Sequence, residues 1–101
     1  MTNDKENVIV IFRKHTGKFN SVVAVFPAMV FNHEPWLCGC YEHVGQHGAF
    51  SKDYYPETKP ATESEYAPLK KELENIGYDL NIVKRWTNKF DVQRRESMQR
   101  S

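Results

Sequence analysis

The sequence predicts an α+β domain, with a small antiparallel sheet of about four strands in the order β-β-β-α-β and one amphipathic helix on one face. Three observations carry that prediction. Two β-branched apolar runs, "VIVIF" at Val8–Phe12 and "SVVAVF" at Ser21–Phe26, lie on either side of a short polar stretch containing Gly17. A third extended run, "WLCGCYEHV", is closed by Gly45 and Gly48. Only one segment has a helical period: Tyr66, Leu69, Leu73 and Ile76 recur at three- and four-residue steps.

Taken in order, residues 1–6 are polar and read as a disordered N-terminus before a single domain over residues 7–86. Val8–Phe12 is apolar without alternation, as in a strand covered on both faces or at a subunit contact. The second strand is expected to end at Pro27, and "PAMVFNHEPW" reads as an irregular crossing segment. "AFSKDYYPETKPAT" has two prolines and no period, so it reads as a loop. "TESE" from Thr62 to Glu65 matches a capping box. Pro68 competes with that start, and Ser64 as cap would place the proline in the first turn, with regular helix from about Glu65. Gly77 suits the end of the helix. "YDLNIVKRW" supplies the last strand, and residues 87–101 read as a basic, partly disordered tail.

Composition narrows the class further. A chain of 101 residues is one domain, and six Phe, five Tyr and two Trp supply much of its apolar area. The formal net charge of +1 gives no case for a specific nucleic acid or a membrane surface as partner. No apolar run is long enough to span a membrane, and the first residues lack the pattern of a secretory signal. Cys38 and Cys40 then read as free thiols of a reducing cytoplasm. With one helix over one face, the opposite face of the sheet would stay apolar and exposed, which predicts a homo-oligomer.

"YEHVGQHGAF", Tyr41–Phe50, concentrates the polar chemistry. Gly45 and Gly48 would let backbone approach a ligand, while His43, Gln46 and His47 offer donors and acceptors. Tyr41 and Tyr54 offer stacking faces, as do Phe50 and Tyr55. Arg13 at the end of the first strand and Arg85 at the end of the last could neutralise an anion, with Lys14, Lys84 and Trp86 beside them. The binding set is therefore Tyr41, His43, Gly45, Gln46, His47, Gly48, Tyr54, Arg13 and Arg85. An alternative is a Cys₂His₂ metal site from Cys38, Cys40, His43 and His47, although a one-residue gap between cysteines on a strand is poor spacing. No nucleophile elbow, phosphate loop or paired catalytic motif is present, so no catalytic residue and no cofactor are assigned.

"VIVIFRK", "VVAVFP", "CYEHVGQHGA" and "TKPATESEYAPLKKELENIGYDLNIVKR", in that order, resemble a family of short proteins from bacteriophages and mobile elements of gut bacteria. The resemblance spans roughly residues 8–85, and the added Pro68 departs from the family's helix start. It implies a setting in the host cell cytoplasm and supplies no catalytic residues. The expected function is a non-enzymatic, phage-type accessory protein acting against host defence. Its partner would be a small nucleotide-like anion, sequestered by the His/Gln/Gly loop. A protein-binding inhibitor of a host defence effector is the alternative, using the acidic helix through Glu65, Glu72 and Glu74. A small His-dependent enzyme or zinc-binding domain is the third.

Overall fold

The structure, a computed structural model, describes residues 6–16, 21–31, 37–42 and 46–100, with the backbone alone at 6–7, 46–47 and 97–100. In chain order these form β1 (Glu6–Lys14), β2 (Val22–Val30), β3 (Leu37–Glu42), β4 (Gln46–Ser51), a 3-10 helix (Lys52–Glu57), β5 (Lys59–Pro60), α1 (Glu63–Ile76), β6 (Tyr78–Ile82) and α2 (Asn88–Arg100). The α+β class holds, but the sheet has six strands among the described residues, and a second long helix is present.

Strands β1 to β4 form an antiparallel meander in the order β4-β3-β2-β1. Two strands then share the remaining edge of β1. β6 runs parallel to it, from Glu6 beside Tyr78 to Val10 beside Ile82. β5 runs antiparallel, with Arg13 beside Pro60 and Lys14 beside Lys59. The two approach each other head to head and cannot both continue. Val83 N–H donates to the Val10 carbonyl at 2.9 Å, Ala61 N–H donates to the Phe12 carbonyl at 3.1 Å, and there each chain leaves the edge.

Both faces of the sheet are covered, which explains why β1 carries no polar alternation. On one face Val8, Val10, Phe12, Ala24, Phe26 and Tyr41 pack with Leu69 and Leu73 of α1. On the other, Ile11, Val23, Val25, Cys38, Cys40 and Phe50 form a second cluster, with Tyr55, Val83 and Trp86 against it. α2 lies on this second face, where Phe90 is buried and Arg94 donates from Nη1 to the Pro27 carbonyl of β2 at 2.5 Å. The exposed sheet face that suggested a homo-oligomer is thus occupied by the chain itself. Residues that read as a solvated tail form its cover.

Several element boundaries also differ from expectation. Pro27 does not end β2, because the pairing with β3 shifts register between Phe26 and Val30, and a proline fits at such an irregularity. β4 and β5 occupy stretches read as turn and loop. α1 starts at Glu63 on a complete capping box, with Thr62 Oγ1 accepting from Glu65 N–H and Thr62 N–H donating to Glu65 Oε1. Pro68 therefore sits inside the helix, where an exposed position lets solvent reach the carbonyl left without its usual donor. Ile76 closes the apolar period in sequence yet is 52% exposed. Gly77 ends α1 at φ 126°, a conformation that other residues rarely adopt.

Candidate functional site

The shared edge of β1 creates a groove of about 820 Å³. Its origin is topological. After β5 the chain turns into α1 on one face of the sheet, and after β6 residues 83–86 turn to the other. A crevice opens wherever neighbouring segments leave a sheet edge toward opposite faces, the geometry that places ligand sites in open α/β sheets.

The floor is Phe12 and Arg13 of β1 with Ile82 and Val83. One wall is the start of α1, where Tyr66 stacks on Phe12 with ring centroids 4.3 Å apart. The other wall pairs Tyr55 with Trp86, edge to face at 5.3 Å. Lys84 and Arg85, both exposed, stand at the rim and form no ion pair among the described residues. Three cations against one acid, Glu63, line the groove.

Arg13 is the unusual member. It is only 8% exposed, yet among the described residues no carboxylate pairs with it. Its Nε donates to Thr58 Oγ1 at 2.8 Å and its Nη2 to the Thr58 carbonyl at 2.6 Å. The guanidinium lies 4.2 Å from the centroid of the Tyr55 ring. Hydrogen bonds and a ring face soften the desolvation of this charge without neutralising it. Lys14, its neighbour, is consumed on the other face by Glu65, at 2.7 Å.

The structure divides the binding set read from sequence. Arg13 and Arg85 meet in the groove. His43 and Gly45 lie outside the described residues, and Gln46 and His47 are described by backbone alone. That backbone belongs to β4, three strand spacings from β1, about 14 Å away at roughly 4.8 Å each. The described backbone of β4 and the strand-end cations therefore do not converge. Gly48 is an ordinary strand residue opposite Cys40, and a Cβ there would rest 3.8 Å from Cys40 Sγ, so no close ligand approach requires a glycine. Tyr41 is buried under α1 and donates its hydroxyl to Glu72, which, with burial, pushes its pKa up. Tyr54 is held by His15, whose Nδ1 is 2.9 Å from the phenol while Nε2 is 3.1 Å from Glu42 Oε1. Both ring nitrogens of His15 are thus engaged within the protein, leaving it no free nitrogen for a substrate proton.

Of the metal alternative, the structure describes Cys38 and Cys40, which face the α2 side, while His43 lies outside the described residues and His47 is described by backbone alone. Burial pushes the Cys38 thiol up to about 12 and the Cys40 thiol up to about 11, so neither is a reactive thiolate near neutrality. No group of three potential metal ligands occurs among the described residues.

Sequence reasoning passed over Tyr66 and Thr58. Tyr66 reads as a plain core position of α1, and nothing in the sequence connects Thr58 to Arg13. Trp86 was visible as an aromatic directly after two cations at a strand end. No family model, no curated protein and no solved structure matches the chain.

Proposed function

We propose that the protein binds, without transforming it, a small anionic ligand that carries an aromatic ring, with a nucleotide as the chemical class. The observation that carries this reading is Arg13, a buried cation that lines an open groove with no carboxylate pairing with it among the described residues. Keeping such a charge out of water is costly unless an anion completes the site. Lys84 and Arg85 add two mobile cations at the rim, suited to phosphate oxygens. Trp86, Tyr55 and Tyr66 supply ring faces and edges for a base. The volume lies within the range of about 300–1,000 Å³ usual for pockets holding small ligands.

A lining without histidine or cysteine among the described residues favours binding over chemistry. The resemblance to short phage proteins makes sequestration of a host nucleotide the setting for this activity. Relative to the sequence reading, the chemistry of the ligand is kept and its place moves from the histidine loop to the split edge.

Calorimetric titration with AMP, GMP, CMP and UMP tests the proposal. At least one should bind with a Kd of about 100 μM or tighter, and its uncharged nucleoside at least tenfold more weakly. Arg85→Ala, which removes an exposed cation, should weaken binding by about tenfold, the size of one charge-assisted hydrogen bond. Failure of all four nucleotides to bind below about 1 mM would overturn the reading.

A further inference from the structure

Within the groove, Arg13 packs on Tyr55, but the Tyr55–Trp86 wall is also anchored from outside it. Trp86 Nε1 donates to Asp91 Oδ1 at 3.2 Å, and Asp91 lies in the first turn of α2. Oδ2 of the same carboxylate accepts from Lys52 Nζ at 2.6 Å. Lys52 opens the 3-10 helix that carries Tyr55 three residues later. Oδ1 also accepts from Arg94 Nη2 at 2.9 Å, and Arg94 is pegged through Nη1 to the Pro27 carbonyl of β2. The Lys52 ammonium and the Arg94 guanidinium lie 6.0 and 5.7 Å from the Trp86 ring centroid. One carboxylate, 5% exposed, therefore joins Lys52, 39 residues away in the chain, to Trp86 and the first turn of α2.

We infer that Asp91 is a positioning residue of the groove, fixing Trp86 directly and Tyr55 through Lys52, so that docking of α2 and the shape of the aromatic wall are one equilibrium. Asp91 itself is absent from the groove lining, so its effect on a ligand passes through the wall. Its charge state fits this role. Burial alone would raise its pKa, but hydrogen bonds from Lys52, Arg94 and Trp86 overcome that and hold the carboxyl below its ordinary range. Ligand affinity becomes linked to α2 because a groove whose wall is ordered in only a fraction of molecules binds more weakly by that fraction. This last step rests on the groove being the ligand site, whereas the mechanical link does not.

The experiment separates the two. In a Trp36→Phe background, where Trp86 is the remaining tryptophan, acrylamide quenching reports shielding of the indole without any ligand. Asp91→Ala should raise the quenching constant at least about threefold and speed amide exchange over residues 52–57. Lys52→Met, at a half-exposed position, cuts only the arm to the 3-10 helix and keeps the fold. It should speed exchange over residues 52–57 by about tenfold while leaving Trp86 shielded. It should also weaken binding of AMP about fivefold if AMP binds the wild type. Unchanged exchange in Lys52→Met, or an equally shielded Trp86 in folded Asp91→Ala, overturns the inference. Loosening of Trp86 and of residues 52–57 in a protein whose wild type binds no nucleotide supports the link through Asp91 and counts against the nucleotide reading alone.

Discussion

Cys38 and Cys40 lie two apart on β3, and the period of two along a strand turns both toward α2. There they pack with Ile11, Val23, Val25 and Phe50, and burial keeps them protonated. With values near 12 and 11, the thiolate fraction at pH 8 is about one in a thousand or less. Iodoacetamide at pH 8 should therefore leave both cysteines unmodified in the folded protein and label both in denaturant. Rapid native labelling of either would show that its strand opens locally.

α1 and α2 present opposite cases of what a sequence reveals about an element. α1 has an apolar stripe and a capping box, and its position was legible to within a residue or two. The error lay at Pro68, which local rules place in a first turn and the fold tolerates in the interior because that face is solvated. The cap makes a specific electrostatic claim. The hydrogen bond from Lys14 and the Thr62 amide hold the Glu65 carboxyl down to about 2 from an ordinary 4.5. A carboxyl depressed in this way adds stability above its unfolded value and loses it as pH falls toward the folded one. Glu65→Gln should thus lower stability at pH 6 and flatten the acid limb between pH 4.5 and 2 in denaturant titrations. An acid limb as steep as that of the wild type would exclude this role.

α2 gives no such signal, for a physical reason. Its inward residues are Phe90, Asp91 and Arg94, while Val92 is 49% exposed. A helix that docks through one aromatic and an ion pair has no apolar period to detect, so it resembles a basic tail. β4 escaped for a related cause, since "QHGAFS" holds a single large apolar residue, Phe50, and two small ones. The groove was legible only in part. Basic strand ends beside a tryptophan announced an anion site, but the head-to-head meeting of β5 and β6, about twenty residues apart in the chain, is a property of topology.

At the scale of the whole molecule, β1 is an interior strand made from the first described residues, and its outer neighbour β6 comes from the last third of the chain. Parallel pairing of Glu6 with Tyr78 closes a loop that includes the entire meander and α1. Folds dominated by such distant pairings pass their rate-limiting step in about milliseconds to seconds, not microseconds. Stopped-flow refolding should give a main phase on that scale, and one complete within about 100 μs would show that β6 docks outside the rate-limiting step. The same placement has a consequence during synthesis. Until residues 78–82 emerge from the ribosome, the nascent chain carries β1 with an unpaired edge of apolar, β-branched residues, a template for any other extended chain. At about 5–20 residues per second that interval lasts several seconds, so a translational pause while residues 78–82 are still inside the ribosome would raise aggregation far more than one after they have emerged.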